Sequence, residues 1–259
     1  MFSNNPFAEL STTIAPGVIQ TYIAVMIFLV VAGTIFDVIH KKSAKYFFDN
    51  WRNSKDKGTK QVGGAEIASL AVKTLMAEVL TSAEFCNARR RIAHLLTMYG
   101  FLAFAIATVV MVFNYPTPNT PVPDIWPLMW HIGALMVCVG GYWFWFFIRV
   151  DVVAEGNSRF RIIPADLFIL SLLLSATMGL AWSWLQATQV SWLFFVLYVI
   201  GTTLLFGTVP WSKFAHMFFK PAAALQKRVA EADGSRANLP APSDKPETLG
   251  RVGQLPQNY

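Results

Sequence analysis

Five long apolar runs, at 17–39, 92–114, 125–148, 165–185 and 190–209, constrain this chain more than any other feature. A helix needs about 20 apolar residues to cross a hydrocarbon core, and each run is about that long. They lack the strict alternation of a barrel strand, so they predict helices. Charged residues are only 14% of the 259, hydrophobic ones 54%, and the mean hydropathy is +0.44, too apolar for a soluble globule. The expectation is an all-α, five-transmembrane-helix bundle.

Lys and Arg mark the cytoplasmic ends of such helices. None occurs in 1–16, 115–124 or 185–190, whereas they are frequent in 40–91 and recur at Arg149, Arg159, Arg161 and from Lys213 onward. This bias places the N-terminus outside and the C-terminus in the cytoplasm. The net charge of +6 then reads as a topology and anionic-lipid signal, which makes nucleic acid an unsuitable partner. Residues 1–16 have no basic stretch and no small-residue cleavage site, so the first helix is expected to stay. Two isolated cysteines, Cys86 and Cys138, form no ligand set for an iron–sulfur cluster.

The organisation follows from these runs. Residues 1–16 form an outer segment, 17–221 the membrane domain with its cytoplasmic insert 40–91, and 222–259 a cytoplasmic tail. Within the insert, Ile67, Leu70, Ala71, Leu75 and Val79 share one helical face, as an interfacial helix or a docking shelf for a soluble partner requires. The loop 115–124 carries four prolines and is stiff and extended. Trp126, Trp130, Trp182, Trp184 and Trp192 suit an aromatic belt. From Gly234 on, the chain is polar and proline-bearing and needs a partner to order it.

Four histidines carry the chemistry: His40, His94, His131 and His216. A b-type cytochrome needs two imidazoles from facing helices at matching depth. His94 and His216 fall at the cytoplasmic ends of the second and fifth runs. His40 ends the first run, with Asp37 one turn earlier, and His131 enters from the outer side. Arg90 and Arg91 lie one turn before His94, and Lys213 and Lys220 flank His216, so each imidazole has cations within reach of a haem propionate. The same pattern suits interfacial histidines among topology-setting charges. Asp166 suits either a helix N-terminal residue accepting backbone N–H groups or a partner that orients a haem-side arginine. Gly140 and Gly141 allow either close helix approach or room for a flat macrocycle.

The stretches RRRIAHLLTMYGF, PADLFILSLLLSATMGL and PWSKFAHMFF give the chain a family likeness. Over about 17–221 it resembles the gamma, cytochrome b subunit of respiratory nitrate reductases and its superfamily. That superfamily includes the membrane parts of the quinone-interacting oxidoreductase complex of sulfate reducers, of the sulfite-reduction-associated complex and of heterodisulfide reductases. The resemblance implies two ligand histidines on the second helix and two on the fifth. His94 and His216 match one pair, while the other pair falls on Phe104 and Tyr198. It therefore implies one haem b, ligated by His94 and His216 with Arg90, Arg91, Lys213 and Lys220 beside it.

The resemblance further implies a redox anchor in a bacterial or archaeal cytoplasmic membrane, exchanging electrons between quinone and cytoplasmic flavin or iron–sulfur subunits of sulfur-compound metabolism. His131 and Tyr198 are the candidates for the quinone side. Lacking an iron–sulfur domain of its own, the chain is also similar to the membrane protein associated with adenylylsulfate reductase in some sulfur oxidisers. The alternative is a haem-free scaffold that recruits a soluble redox enzyme. A transporter is disfavoured, because no helix carries paired intramembrane carboxylates.

Overall fold

The computed structural model describes residues 2–40, 42–83, 85, 87–148, 162–163, 166–211 and 216–235. In order the helices are α1 (Pro6–Leu10), α2 (Pro16–His40), α3 (Ser43–Lys57), α4 (Gly64–Thr74) with a π-helical continuation (Leu75–Leu80), α5 (Ala88–Asn114), and α6 (Ile125–Trp143) with a second π-helical turn (Phe144–Ile148). There follow α7 (Leu167–Trp184), α8 (Ser191–Gly207), a 3-10 turn (Val209–Trp211) and α9 (His216–Ala232). They form two compact units, Met1–Asp37 with Asn87–Ala215, and Val38–Cys86 with His216–Tyr259.

Among the described residues four helices are long and apolar enough to cross a membrane: α2, α5, α6 with its π turn, and α7. The chain is an all-α, multi-pass membrane protein. The expectation of five such helices is corrected to four. The last apolar run yields a 17-residue helix, Ser191–Gly207, because its C-terminal end breaks at Gly207 and passes into the turn Val209–Trp211. At 1.5 Å per residue α8 is about 25 Å long, short of a core about 30 Å thick. The outside N-terminus and cytoplasmic C-terminus rest on the Lys and Arg distribution over five spans, and four spans do not support that pairing.

In the first unit α5 packs on α6, α6 on α7 and α7 on α8. Small residues set these seams, as is usual where backbones rather than apolar bulk must meet. A Cβ on Gly100 would lie 2.7 Å from the Gly133 carbonyl, one on Gly133 2.7 Å from the Phe104 nitrogen, and one on Gly140 2.7 Å from the Ala93 carbonyl. Gly141 faces Leu173. Both Gly140 and Gly141 therefore serve close helix approach. On the next seam a Cβ at Gly201 would meet the Ser175 nitrogen at 2.8 Å, and the Ser175 and Thr202 hydroxyls bond at 2.9 Å.

Side chains bridge α5 and α8. The Phe101 and Phe206 rings lie 6.3 Å apart, and those of Phe104 and Tyr198 6.4 Å apart. Helix α2 bonds to both neighbours, through Gln20 Nε2 to the Val112 carbonyl (3.1 Å) and the Tyr22 hydroxyl to the Val199 carbonyl (3.2 Å). The Asn87 side chain caps α5 by accepting from the Arg89 and Arg90 nitrogens. Asp166 precedes α7 but accepts from the Ile163 nitrogen (2.8 Å), so it ties the approach to the helix rather than the helix's own first N–H groups.

In the second unit α9 packs on α4, its π-helical continuation and α3. Arg228 pairs with Glu78 at 2.7 Å, and Gln226 Nε2 donates to the Phe47 carbonyl at 2.9 Å. Asp233 closes the unit. Its carbonyl accepts from the Thr59 and Lys60 nitrogens, and its carboxylate from the Ser54 hydroxyl and the Ser235 nitrogen. A cavity of about 390 Å³ lies beside it, between Trp51, Lys60, Gln61 and Gln226.

Candidate functional site

His94 lies in the second turn of α5, exposed, with Arg90 and Arg91 half-buried one turn before it. The close seam with α6 takes Ala93, Thr97 and Gly100. His94 stands beside that row, on the stripe that continues through Met98 to Phe101, at i+4 and i+7. Phe101 is the residue whose ring meets Phe206 of α8. The stripe bearing the imidazole is thus the one that turns toward α8.

His216 is the first residue of α9. Its side chain lies outside the described residues, as does all of Lys213. The Lys220 ammonium stands 5.5 Å from the centre of the Phe85 ring, a cation–π contact within the second unit. Arg149, Arg159, Arg161 and Cys86 also fall outside the described residues. Among the described residues no group of three or more His, Cys, Asp or Glu side chains is placed to hold a metal ion.

The two positions matched to the second haem pair meet as rings. Phe104 lies 5.0 Å from Trp130, Tyr198 stacks on Trp182 at 5.7 Å with 15° between planes, and Trp182 lies 5.0 Å from Phe195. Trp130 and Trp182 are fully buried, and Trp130 Nε1 donates to the Thr108 hydroxyl at 2.9 Å. Aromatic side chains fill the space between these two positions, and neither Phe104 nor Tyr198 is a usual low-spin haem ligand.

His131 adjoins this cluster and is 0% exposed. Its Nδ1 lies 2.7 Å from the Pro127 carbonyl and its Nε2 2.8 Å from the Ser183 hydroxyl. A carbonyl only accepts, so in the neutral ring Nδ1 carries the proton and Nε2 accepts from Ser183.

The segment before α2 closes over these residues, a contact no sequence pattern announces. Asn5 caps α1 by accepting from the Phe7 and Ala8 nitrogens and donates to the Tyr115 carbonyl, while Gln186 Nε2 donates to the Pro6 carbonyl. The Phe7 ring lies 5.4 Å from Trp182 and 5.9 Å from Trp130, and Phe2 stands edge-on to His131 at 5.6 Å. Asn5 before Pro6 is a readable helix start, but no pattern says what a five-residue helix covers.

No family model matches the chain, and no solved structure matches it. Over 165 residues it is 31% identical to Citrate utilization protein B of Escherichia coli, an alignment covering 60% of this chain and 41% of that protein. The chain spans about two fifths of the length of that curated relative.

Proposed function

We propose that the chain is the membrane subunit of a redox complex, related to the nitrate reductase gamma-type cytochromes b. It would hold one haem b and pass electrons between membrane quinone and a soluble flavin or iron–sulfur oxidoreductase. The observation that carries the reading is the orientation of the His94 stripe toward α8, combined with the ring-filled positions Phe104 and Tyr198, which leave one candidate ligand pair rather than two. Haem b, when bound, supplies one-electron transfer. His94 and His216 are the proposed imidazole donors, and Arg90, Arg91, Lys213 and Lys220 the cations for two propionates.

The apolar helices would exclude water from the carrier. His131 and Tyr198 remain the candidates for quinone contact on this reading, and the rings of Phe2 and Phe7 would have to give way before a ligand reached them. The sulfur-compound assignment rests on resemblance alone. The relative's name associates that protein with citrate use, which makes a carboxylic acid a second candidate for the soluble partner's substrate.

Reduced-minus-oxidised spectra of the protein purified from membranes test the proposal. The expected result is a b-type signal of one haem per chain that is lost in both His94→Ala and His216→Ala. A colourless wild-type protein overturns it and leaves the haem-free scaffold. A bacterial or archaeal cytoplasmic membrane is the compartment this role requires.

A further inference from the structure

The insert between α2 and α5 has a second apolar face that its sequence pattern conceals. The face expected to meet lipid includes Ile67 and Leu70, and both are half-buried on the side of α4 that carries the buried Thr74 and the α9-bound Glu78. Beyond Leu75, the edge of that face and itself 51% exposed, a further side is apolar as well, with Val72, Met76 and Leu80 61, 54 and 37% exposed.

Val72, Met76 and Leu80 follow one another at four-residue spacing, the repeat that keeps side chains on one side of a helix, and the π-helical continuation Leu75–Leu80 extends the stripe to Leu80. An exposed apolar stripe of this kind on a soluble surface calls for a covering phase.

We propose that the Val72–Leu75–Met76–Leu80 stripe lies on the bilayer interface, with anionic headgroups as its polar neighbours. Covalent linkage keeps it there, since the insert leaves one membrane-crossing helix at its start and only residues 81–87 separate Leu80 from α5, a second one. Charge agrees. The insert carries Lys42, Lys45, Lys57, Lys60 and Lys73, and Lys73 sits on α4 itself, next in sequence to Val72. Apolar burial together with anionic-lipid attraction is how an amphipathic helix holds to a membrane surface. The proposal is independent of haem and of any redox activity.

Nitroxide labels on full-length protein in lipid nanodiscs test it. In a Cys86→Ser, Cys138→Ser background, Val72→Cys and Met76→Cys are labelled separately, with Glu66→Cys as a control on the polar side of the same helix, about 100° away. Labels at positions 72 and 76 are expected to relax more with oxygen than with a water-soluble nickel chelate, the control showing the reverse. Replacing neutral lipid by about a third phosphatidylglycerol should deepen both labels. Nickel-dominated relaxation at positions 72 and 76 overturns the proposal and identifies the stripe as a surface for a soluble protein. Insensitivity of label depth to phosphatidylglycerol overturns its electrostatic half.

Discussion

His131 illustrates what a single buried polar side chain contributes. Both ring nitrogens are bonded and the ring is wholly enclosed, so truncation removes a ring-sized volume and leaves the Ser183 hydroxyl without its acceptor. We expect His131→Ala to cost about 2–4 kcal/mol, seen as a lower unfolding temperature in detergent. Ser183→Ala should cost less, about 1 kcal/mol, because only the hydroxyl goes. Asp233 is a second residue whose surroundings fix its behaviour. Burial alone would raise its carboxyl, but hydrogen bonds from Ser235 and Ser54 outweigh that and hold it below the ordinary value of 3.8.

A carboxylate with a depressed folded pKa stabilises the fold wherever the unfolded group is ionised. Its contribution is complete above pH 3.8 and drains away as pH falls from there through the lower folded value. Asp233→Asn should therefore be less stable than the wild type at neutral pH, with the difference closing in acid. Amide exchange at Thr59 and Lys60, whose N–H groups bond the Asp233 carbonyl, measures it.

At the scale of elements, the helix seams depend on missing methyl groups. A methyl group at Gly133 would sit 2.7 Å from backbone on α5, so Gly133→Ala must push α5 and α6 apart. The expected cost is about 1–3 kcal/mol. Gly17→Ala, with nothing within 4 Å of the added Cβ, should be neutral or slightly stabilising. Thermal unfolding of the two variants side by side checks the contrast. The short helix α1 is held by polar ties and ring contacts rather than by length. Deleting residues 2–10 should expose Trp130 and Trp182 and shift tryptophan emission to the red, whereas Asn5→Ala, which loses a cap and the bond to Tyr115, should produce part of that shift.

For the whole molecule the informative number is the count of carriers. With Phe104, Trp130, Tyr198 and Trp182 in ring contact, a double substitution Phe104→His with Tyr198→His should not create a second haem signal. The space is filled and Thr108, Trp130 and Trp182 remain in it. Appearance of a second b-type signal in that variant would show the cluster to be a haem pocket that had merely lost its ligands.

What the sequence determined by itself was composition-driven. Long apolar runs force helices because a bilayer leaves no other partner for backbone N–H and carbonyl groups, and that inference needs no knowledge of neighbours. Helix positions for α2, α5, α6 and α7 follow from it, whereas which helices the small residues bring together does not. What only the tertiary structure decided depended on which surfaces meet. Periodicity showed an apolar face on α4 but not that α9 packs on this helix, nor that a second apolar stripe stays exposed. The end of α8 at Gly207 was equally hidden, since Thr208, Val209 and Pro210 continue the run by hydropathy alone. The closure of Phe2 and Phe7 over His131, Trp130 and Trp182 was hidden too, because it joins residues more than a hundred positions apart. Hydropathy is summed along the chain, whereas burial is settled by partners brought together from far along it, and only coordinates supply those.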